Sequence, residues 1–178
     1  MTLNATSTKP SAVTALYLMF KIELDYYALA ATQIEFVLSR RRLKQIPAAP
    51  SWMVGLLNIN DQTIPVIDIY QRLLGRPASA QSSTRLVIVR YEKDKLLGLL
   101  LEKVNTFERL NLGDWTNTAV ELYNNNFLAA VQQHASLGLI QNIELSLILP
   151  SDVKQQLYPQ APYSPSEDGD STLKNIMP

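Results

Sequence analysis

The chain of 178 residues has no cysteine, so disulfides, thiol nucleophiles and cysteine-ligated metals are all excluded. It has one histidine, His134. A proton-transfer site needs an orienting partner for its histidine, and a metal site needs further ligands. His134 therefore reads as a surface residue at a hairpin tip. Only six glycines are present, widely spaced, so there is no glycine-rich phosphate cradle. No serine sits in a G-x-S-x-G turn. Neither sign of charge is in excess: sixteen basic residues meet sixteen acidic ones. That balance argues against broad attraction to nucleic acid or an anionic membrane. No apolar run approaches the roughly 20 residues of a membrane helix. The opening MTLNATSTKPSAVTA lacks a basic stretch followed by an apolar one. The expectation is a soluble, cytoplasmic protein with no cofactor and no direct membrane insertion.

What is present is mostly period-two alternation. In LYLMFKIEL, Leu16, Leu18, Phe20, Ile22 and Leu24 fall on one face and Lys21 and Glu23 on the other, the pattern of a half-buried strand. Asp25-Tyr26 reads as the turn that follows, before YALA. QIEFVL (33–38) is a further short strand. Pro47 and Pro50 make 43–52 a loop. GLLNIN and TIPVIDI then pair as a hairpin across Asn60-Asp61-Gln62, and Pro65 suits an edge strand or a bulge. RLVIVRY (85–91) and LLGLLLEKV (96–104) form a second hairpin, joined to the first by a polar linker, 76–84. FLAAVQQ (127–133) and LGLIQNI (137–143) form a third across His134. PSDVKQQLY (150–158) has the chemistry of a short terminal helix, with Ser151 as its cap. Many short strands at this spacing predict an all-β fold of one or two barrels. Residues 1–14 read as a flexible arm and 159–178, rich in proline, serine and acidic residues, as a disordered tail around a body of 15–158.

The carboxylates Asp25, Asp68 and Glu102 are isolated, and their expected state is solvated or hydrogen-bonded to nearby backbone rather than catalytic. The single basic cluster is Arg40-Arg41-Arg42 with Lys44. A small barrel with such a loop can bind single-stranded nucleic acid if aromatic rings share its surface. A solvated loop is the plainer reading. With catalysis disfavoured, interaction with another protein is the default, and Trp52, Met53, Ile34 and Val37 lie near the proline loop.

The order of LYLMFKIELDYYALAATQIEFVL, IPAAPSWMVGLLNINDQTIPVIDIYQRLLG, STRLVIVRY, LLGLLLEKVNTFERL and the closing LGLIQNIELSLILP resembles the CheW family of chemotaxis coupling proteins over residues 16–150. The most specific element is P-x-x-P-x-W-x-x-G-L-L-N-I-x-x-x-x-I-P-V-I-D-I. The resemblance implies two packed five-stranded β-barrels with a short C-terminal helix. It implies a non-catalytic adaptor between a chemoreceptor's cytoplasmic tip and the regulatory domain of a CheA-type histidine kinase, recruited to membrane receptor arrays. The positions matching the family's kinase-facing surface are Ile34, Phe36, Gly55, Asn58, Ile59 and Asn60. Those matching its receptor groove are Thr84, Arg85, Leu99, Leu101 and Val104.

Three departures stand out. The family usually has Arg-Gly where this chain has Asn60-Asp61, a glutamate where Phe36 stands, and an aspartate where Glu102 sits. Arginine can make a bidentate ion pair across an interface and asparagine cannot. These changes suggest altered partner specificity with the fold retained. LLGRPASAQSSTRLVIVRY followed by LLGLLLEKV resembles the couplers of surface-sensing (Wsp-type) systems, whose output is a diguanylate cyclase, with twitching-motility couplers the nearest competitor.

Overall fold

The first strand, β1 (Thr14–Ile22), has both faces covered from Tyr17 to Phe20. Leu18, Phe20 and Ile22 enter one core, and Tyr17 and Met19 enter a second. The half-buried strand expected from the alternation is therefore a central strand, flanked on both sides. Leu16 and Leu24 do not join the buried face: they are 39% and 88% exposed. The turn also falls earlier than expected. Ile22 pairs with Asp25, so the corner is Glu23-Leu24, with Glu23 at φ 54. Asp25 and Tyr26 belong to the next strand, β2 (Asp25–Ala30).

These observations come from a computed structural model, which describes residues 12–104, 106–117 and 128–159. The chain then leaves this sheet to build another. A short 3-10 turn leads to β3 (Ile34–Ser39), followed by β4 (Met53–Ile59), β5 (Gln62–Asp68), the helix α1 (Ile69–Leu74), β6 (Arg85–Glu92) and β7 (Lys95–Leu101). Their order in the sheet is β3-β6-β7-β5-β4. The chain returns with β8 (Thr106–Asn111), β9 (Thr116–Asn117), β10 (Leu128–His134) and β11 (Gly138–Ile143), and the first sheet runs β8-β1-β2-β11-β10-β9. The helix α2 (Ser151–Leu157) closes the described residues. The fold is mostly β and two-sheeted. One sheet has five strands, and the other has a sixth, the two-residue β9.

The larger core draws on both sheets: Leu18, Phe20 and Leu29 from one meet Ile67, Ile88 and Leu99 from the other. Each such side chain contributes roughly 1.5–3 kcal/mol by leaving water. The smaller core holds Tyr17, Met19, Ala28, Leu110 and Ile140. Each sheet contains one parallel pairing, β5 with β7 and β11 with β2.

Several local expectations need correction. Pro65 lies on an interior strand, not an edge. It is tolerated because the β7 ladder begins only at Val66, so β5 still has a free side where the proline sits. α1 was not anticipated, although Asp68 caps it and Gly75 ends it in the left-handed region (φ 68). Ser151 does not cap α2. The cap position is Pro150, whose carbonyl accepts from Lys154 N, and no side chain caps the helix. β8 and β9 lie where the sequence pattern predicts no strand. His134 is half-buried, and its Nδ1 accepts from Leu137 N (3.3 Å), closing the turn. Of the expected flexible arm (1–14) and disordered tail (159–178), residues 1–11 and 160–178 lie outside the described residues, and Thr14 already belongs to β1. Among the described residues, no helix is long and apolar enough to cross a membrane.

Candidate functional site

The β4–β5 hairpin closes tightly. Ile59 pairs with Gln62, leaving Asn60 (φ 47) and Asp61 (φ 61) as a two-residue turn. Both lie in the left-handed region that a type I′ turn requires, and Asn and Asp are the non-glycine residues that tolerate it best. Asn58 and Asn60 are exposed, and Ile59 is half-buried against the main core. Asn58 Oδ1 accepts from Thr63 Oγ1 at 3.1 Å. The Asn60 side chain makes no hydrogen bond among the described residues.

Gly55, five residues before Asn60, is buried and has φ 140. A Cβ there would stand 2.6 Å from Lys44 O. That contact matters because Lys44 and Leu56 exchange backbone hydrogen bonds of 2.9 and 2.8 Å. The bridge clamps the arginine–proline loop onto β4. Gly55 thus has no side chain or exposed surface to give a partner. Its place in the candidate interface is corrected to scaffold.

Ile34 and Phe36 lie on β3, with inward-facing side chains half-buried against the main core. β3 and β4 are opposite edges of the five-stranded sheet, separated by three strands. The sheet itself does not bring the two halves of the kinase-facing set together. The link among the described residues is the loop after β3, which reaches β4 at the Lys44–Leu56 bridge.

The receptor-groove set divides by burial. Leu99 and Leu101 are 0% exposed and Thr84 is 2% exposed. They present no surface in this fold. Thr84 Oγ1 donates to Ser79 O (2.6 Å) and holds the linker's shape. Arg85 and Val104 are half-buried and retain reachable surface.

The polar groups with the densest connections had no assigned role in the sequence. The Asp68 carboxylate is buried and accepts three backbone N–H groups: Tyr70 (2.9 Å), Gln71 (3.1 Å) and Ala78 (2.7 Å). It caps α1 and pins the linker at the same time. The buried Tyr70 hydroxyl donates to Lys21 O (2.6 Å) and accepts from Glu102 N (2.8 Å). It therefore joins the end of β1, in one sheet, to the end of β7, in the other. Burial pushes this hydroxyl well above the usual tyrosine range, so it stays protonated as a donor.

Arg76 completes the seam, with Nη1 2.9 Å from Glu102 Oε1 and Nη2 2.7 Å from Glu23 Oε1. Glu102 also accepts from Ser79 N (2.6 Å). Burial acts to raise the Glu102 carboxyl, but the hydrogen bonds from Arg76 and Ser79 outweigh it and hold it below the usual range. The hydrogen bonds that Arg76 donates to Glu102 and Glu23 push its guanidinium further up. The Asp68 carboxylate thus behaves as expected, bound to nearby backbone, whereas Glu102 is not isolated: it is ion-paired to Arg76. Arg76 and Tyr70 are the residues that sequence reasoning missed. Their partners lie 26 to 53 positions away, and no local pattern marks them.

A second latch holds α2. Tyr158 Oη donates to Leu96 O (2.8 Å), its ring stacks on Tyr91 at 5.8 Å, and Lys154 pairs with Glu92. Among the described residues, no group of three or more His, Asp or Glu side chains is placed to hold a metal ion.

The family model for the CheW-like domain matches residues 16–149. The chain is 24% identical over 88 residues to the chemotaxis protein CheW of Bacillus subtilis (strain 168), covering 49% of this chain and 56% of that one. It is 20% identical over 88 residues to the chemotaxis protein CheW of Treponema pallidum (strain Nichols), covering 48% and 52%. The alignments thus span about half the length of these relatives. Among solved structures, the scaffolding protein TtCheW from Thermoanaerobacter tengcongensis superimposes with a TM-score of 0.71. That superposition covers 87% of this chain and 99% of TtCheW at 18% identity, a likeness of fold.

Proposed function

The chain belongs to the CheW-like domain family, and from that premise we propose that it is a non-catalytic adaptor. It joins the cytoplasmic tip of a chemoreceptor to the regulatory domain of a CheA-type histidine kinase, in the cytoplasm at membrane receptor arrays. The observation that carries this reading is the family match across both sheets, from residue 16 to residue 149. The geometry supports it in two ways. The β4–β5 tip offers exposed polar side chains, Asn58 and Asn60, on a backbone held by its own turn. The Tyr70–Arg76–Glu102 seam ties one sheet to the other, with Tyr70 and Glu102 buried and Arg76 half-exposed at its edge. An adaptor of this kind works by contacts that differ between two states of its partner.

In this reading the kinase contacts Asn58, Ile59 and Asn60, with Ile34 and Phe36 contributing their half-buried edges and Gly55 supporting from beneath. The receptor contacts Arg85 and Val104 over a floor formed by Thr84, Leu99 and Leu101. The narrower role is a coupler for surface sensing that leads to a diguanylate cyclase. It rests on the resemblance of LLGRPASAQSSTRLVIVRY and LLGLLLEKV to Wsp-type couplers, with the departures at Asn60, Asp61 and Phe36 pointing to a dedicated partner.

Titration with the regulatory domain of a CheA-type kinase from the same genome should give saturable binding, and adding the receptor tip should give a ternary complex. Failure to bind any such kinase domain would sink the adaptor reading. Deleting the gene should abolish surface-induced cyclase output and spare swimming chemotaxis. The reverse pattern would remove the narrower role. The arginine loop favours nucleic acid less than the sequence alone allowed, because among the described residues no aromatic ring lines the cleft beside it.

A further inference from the structure

β5 and β7 pair from Val66 and Gly98 onward, and part before that point toward their hairpin tips. Gln62, Thr63 and Ile64 pair with β4 alone, and Lys95, Leu96 and Leu97 with β6 alone. Between the parted strands lies a cleft of about 230 Å³, lined by Gln62, Thr63, Ile64 and Leu96 and by Tyr158, the residue that ends α2.

Pro65 is the reason for the parting. Its partner on β4 is Leu56, whose backbone N–H and C=O bond to Lys44, away from β5. In an antiparallel ladder, opposite residues either both face each other or both face away. Pro65 therefore turns its backbone toward β7. One step back in the register from Val66 and Gly98, it stands opposite Leu97. A residue with an N–H would there donate to the Leu96 carbonyl, and proline has none. Tyr158 Oη donates to that same carbonyl, at 2.8 Å. The backbone donor missing from β5 is thus replaced by a side chain from α2. That side chain is firmly held: its ring stacks on Tyr91, Lys95 Nζ lies 5.0 Å from its centroid, and Lys154 on the same helix pairs with Glu92. Burial pushes the hydroxyl well above the usual tyrosine range, so it stays protonated as a donor.

We propose that Tyr158 is a positioning residue for the β4–β5 tip: it stands in for the N–H that Pro65 lacks, fixes β7 beside the open half of β5, and so couples α2 to the presentation of Asn58 and Asn60. The consequence for a partner rests on the adaptor reading. The replacement of one donor by the other does not.

Tyr158→Phe removes the hydroxyl and keeps the ring. Amide exchange at Leu57, Ile59 and Ile64 should quicken about fivefold, the weight of one hydrogen bond, while Leu18 and Leu29 in the other sheet should change by less than about twofold. Affinity for the kinase regulatory domain should fall by about fivefold. Pro65→Ala supplies a backbone N–H. Added to Tyr158→Phe, it should bring exchange and affinity back to within about twofold of wild type, a rescue that a general loss of stability would not show. Tip exchange that stays unchanged in Tyr158→Phe, that quickens equally in both sheets, or that Pro65→Ala fails to slow would overturn the proposal. So would a kinase affinity identical in wild type and Tyr158→Phe. If no protein of the set binds the kinase domain, wild type included, the adaptor reading fails, and the exchange pattern alone decides whether Tyr158 holds the tip.

Discussion

Two polar residues of one hairpin, Asn60 and Asp68, have opposite fates. Asp68 is buried, and its two oxygens accept three backbone amides. Asn60 is exposed at the tip, and its side chain has no hydrogen-bond partner among the described residues. Its amide is spare, while its backbone is demanding, with φ 47. On the proposed reading, the contrast separates scaffold from working surface. A polar residue whose capacity is filled inside the fold stabilises it. One whose capacity is open, on a backbone that is already fixed, is available to a partner.

The comparison can be broken at its strongest point first. Asp68→Ala should cost about 3 kcal/mol in chemical denaturation, since it removes a helix cap and leaves the Ala78 amide buried without a partner. Tyr70→Phe should cost about 2 kcal/mol, from the unpaired Lys21 carbonyl and Glu102 amide. A loss near zero would mean that the seam does not hold the sheets.

Acid probes the same region. Glu102 is held below its unfolded value near 4.3, so its contribution is present above that pH and is lost as pH falls through the lower folded value. The denaturation midpoint should drop below about pH 4.5. Glu102→Gln should flatten part of that drop. The tip should respond least. Asn60→Ala should cost about 1 kcal/mol because alanine resists a left-handed backbone, whereas Asn60→Gly should fall within about 0.5 kcal/mol of wild type. A glycine variant that melts the domain would make the tip a structural element.

The hairpins were legible because their signals are local. GLLNIN and TIPVIDI predicted β4 and β5 to within two residues, and Asn60-Asp61 announced the turn. The second hairpin, 85–91 with 96–104, was equally plain, although β7 ends at Leu101 and the chain turns away. What could not be read is long-range. Nothing local shows that β1 has two covered faces, that β11 lies parallel to β2, or that Tyr70 reaches Lys21 from 49 positions away. α1 was legible but overlooked, since Asp68 and Gly75 bracket it at the positions where caps belong. Of the candidate interface, a residue's family position was readable and its burial was not. Gly55, Thr84, Leu99 and Leu101 matched interface positions yet lie inside the fold.

The most direct measurement is calorimetric titration of the kinase regulatory domain into wild type and Asn60→Gly, with the melting temperature of each recorded alongside. The glycine variant keeps the turn and removes only the side chain. The account predicts an unchanged melting temperature and binding weaker by about tenfold, or roughly 1.4 kcal/mol. Equal affinity of the two proteins for the kinase domain would contradict it.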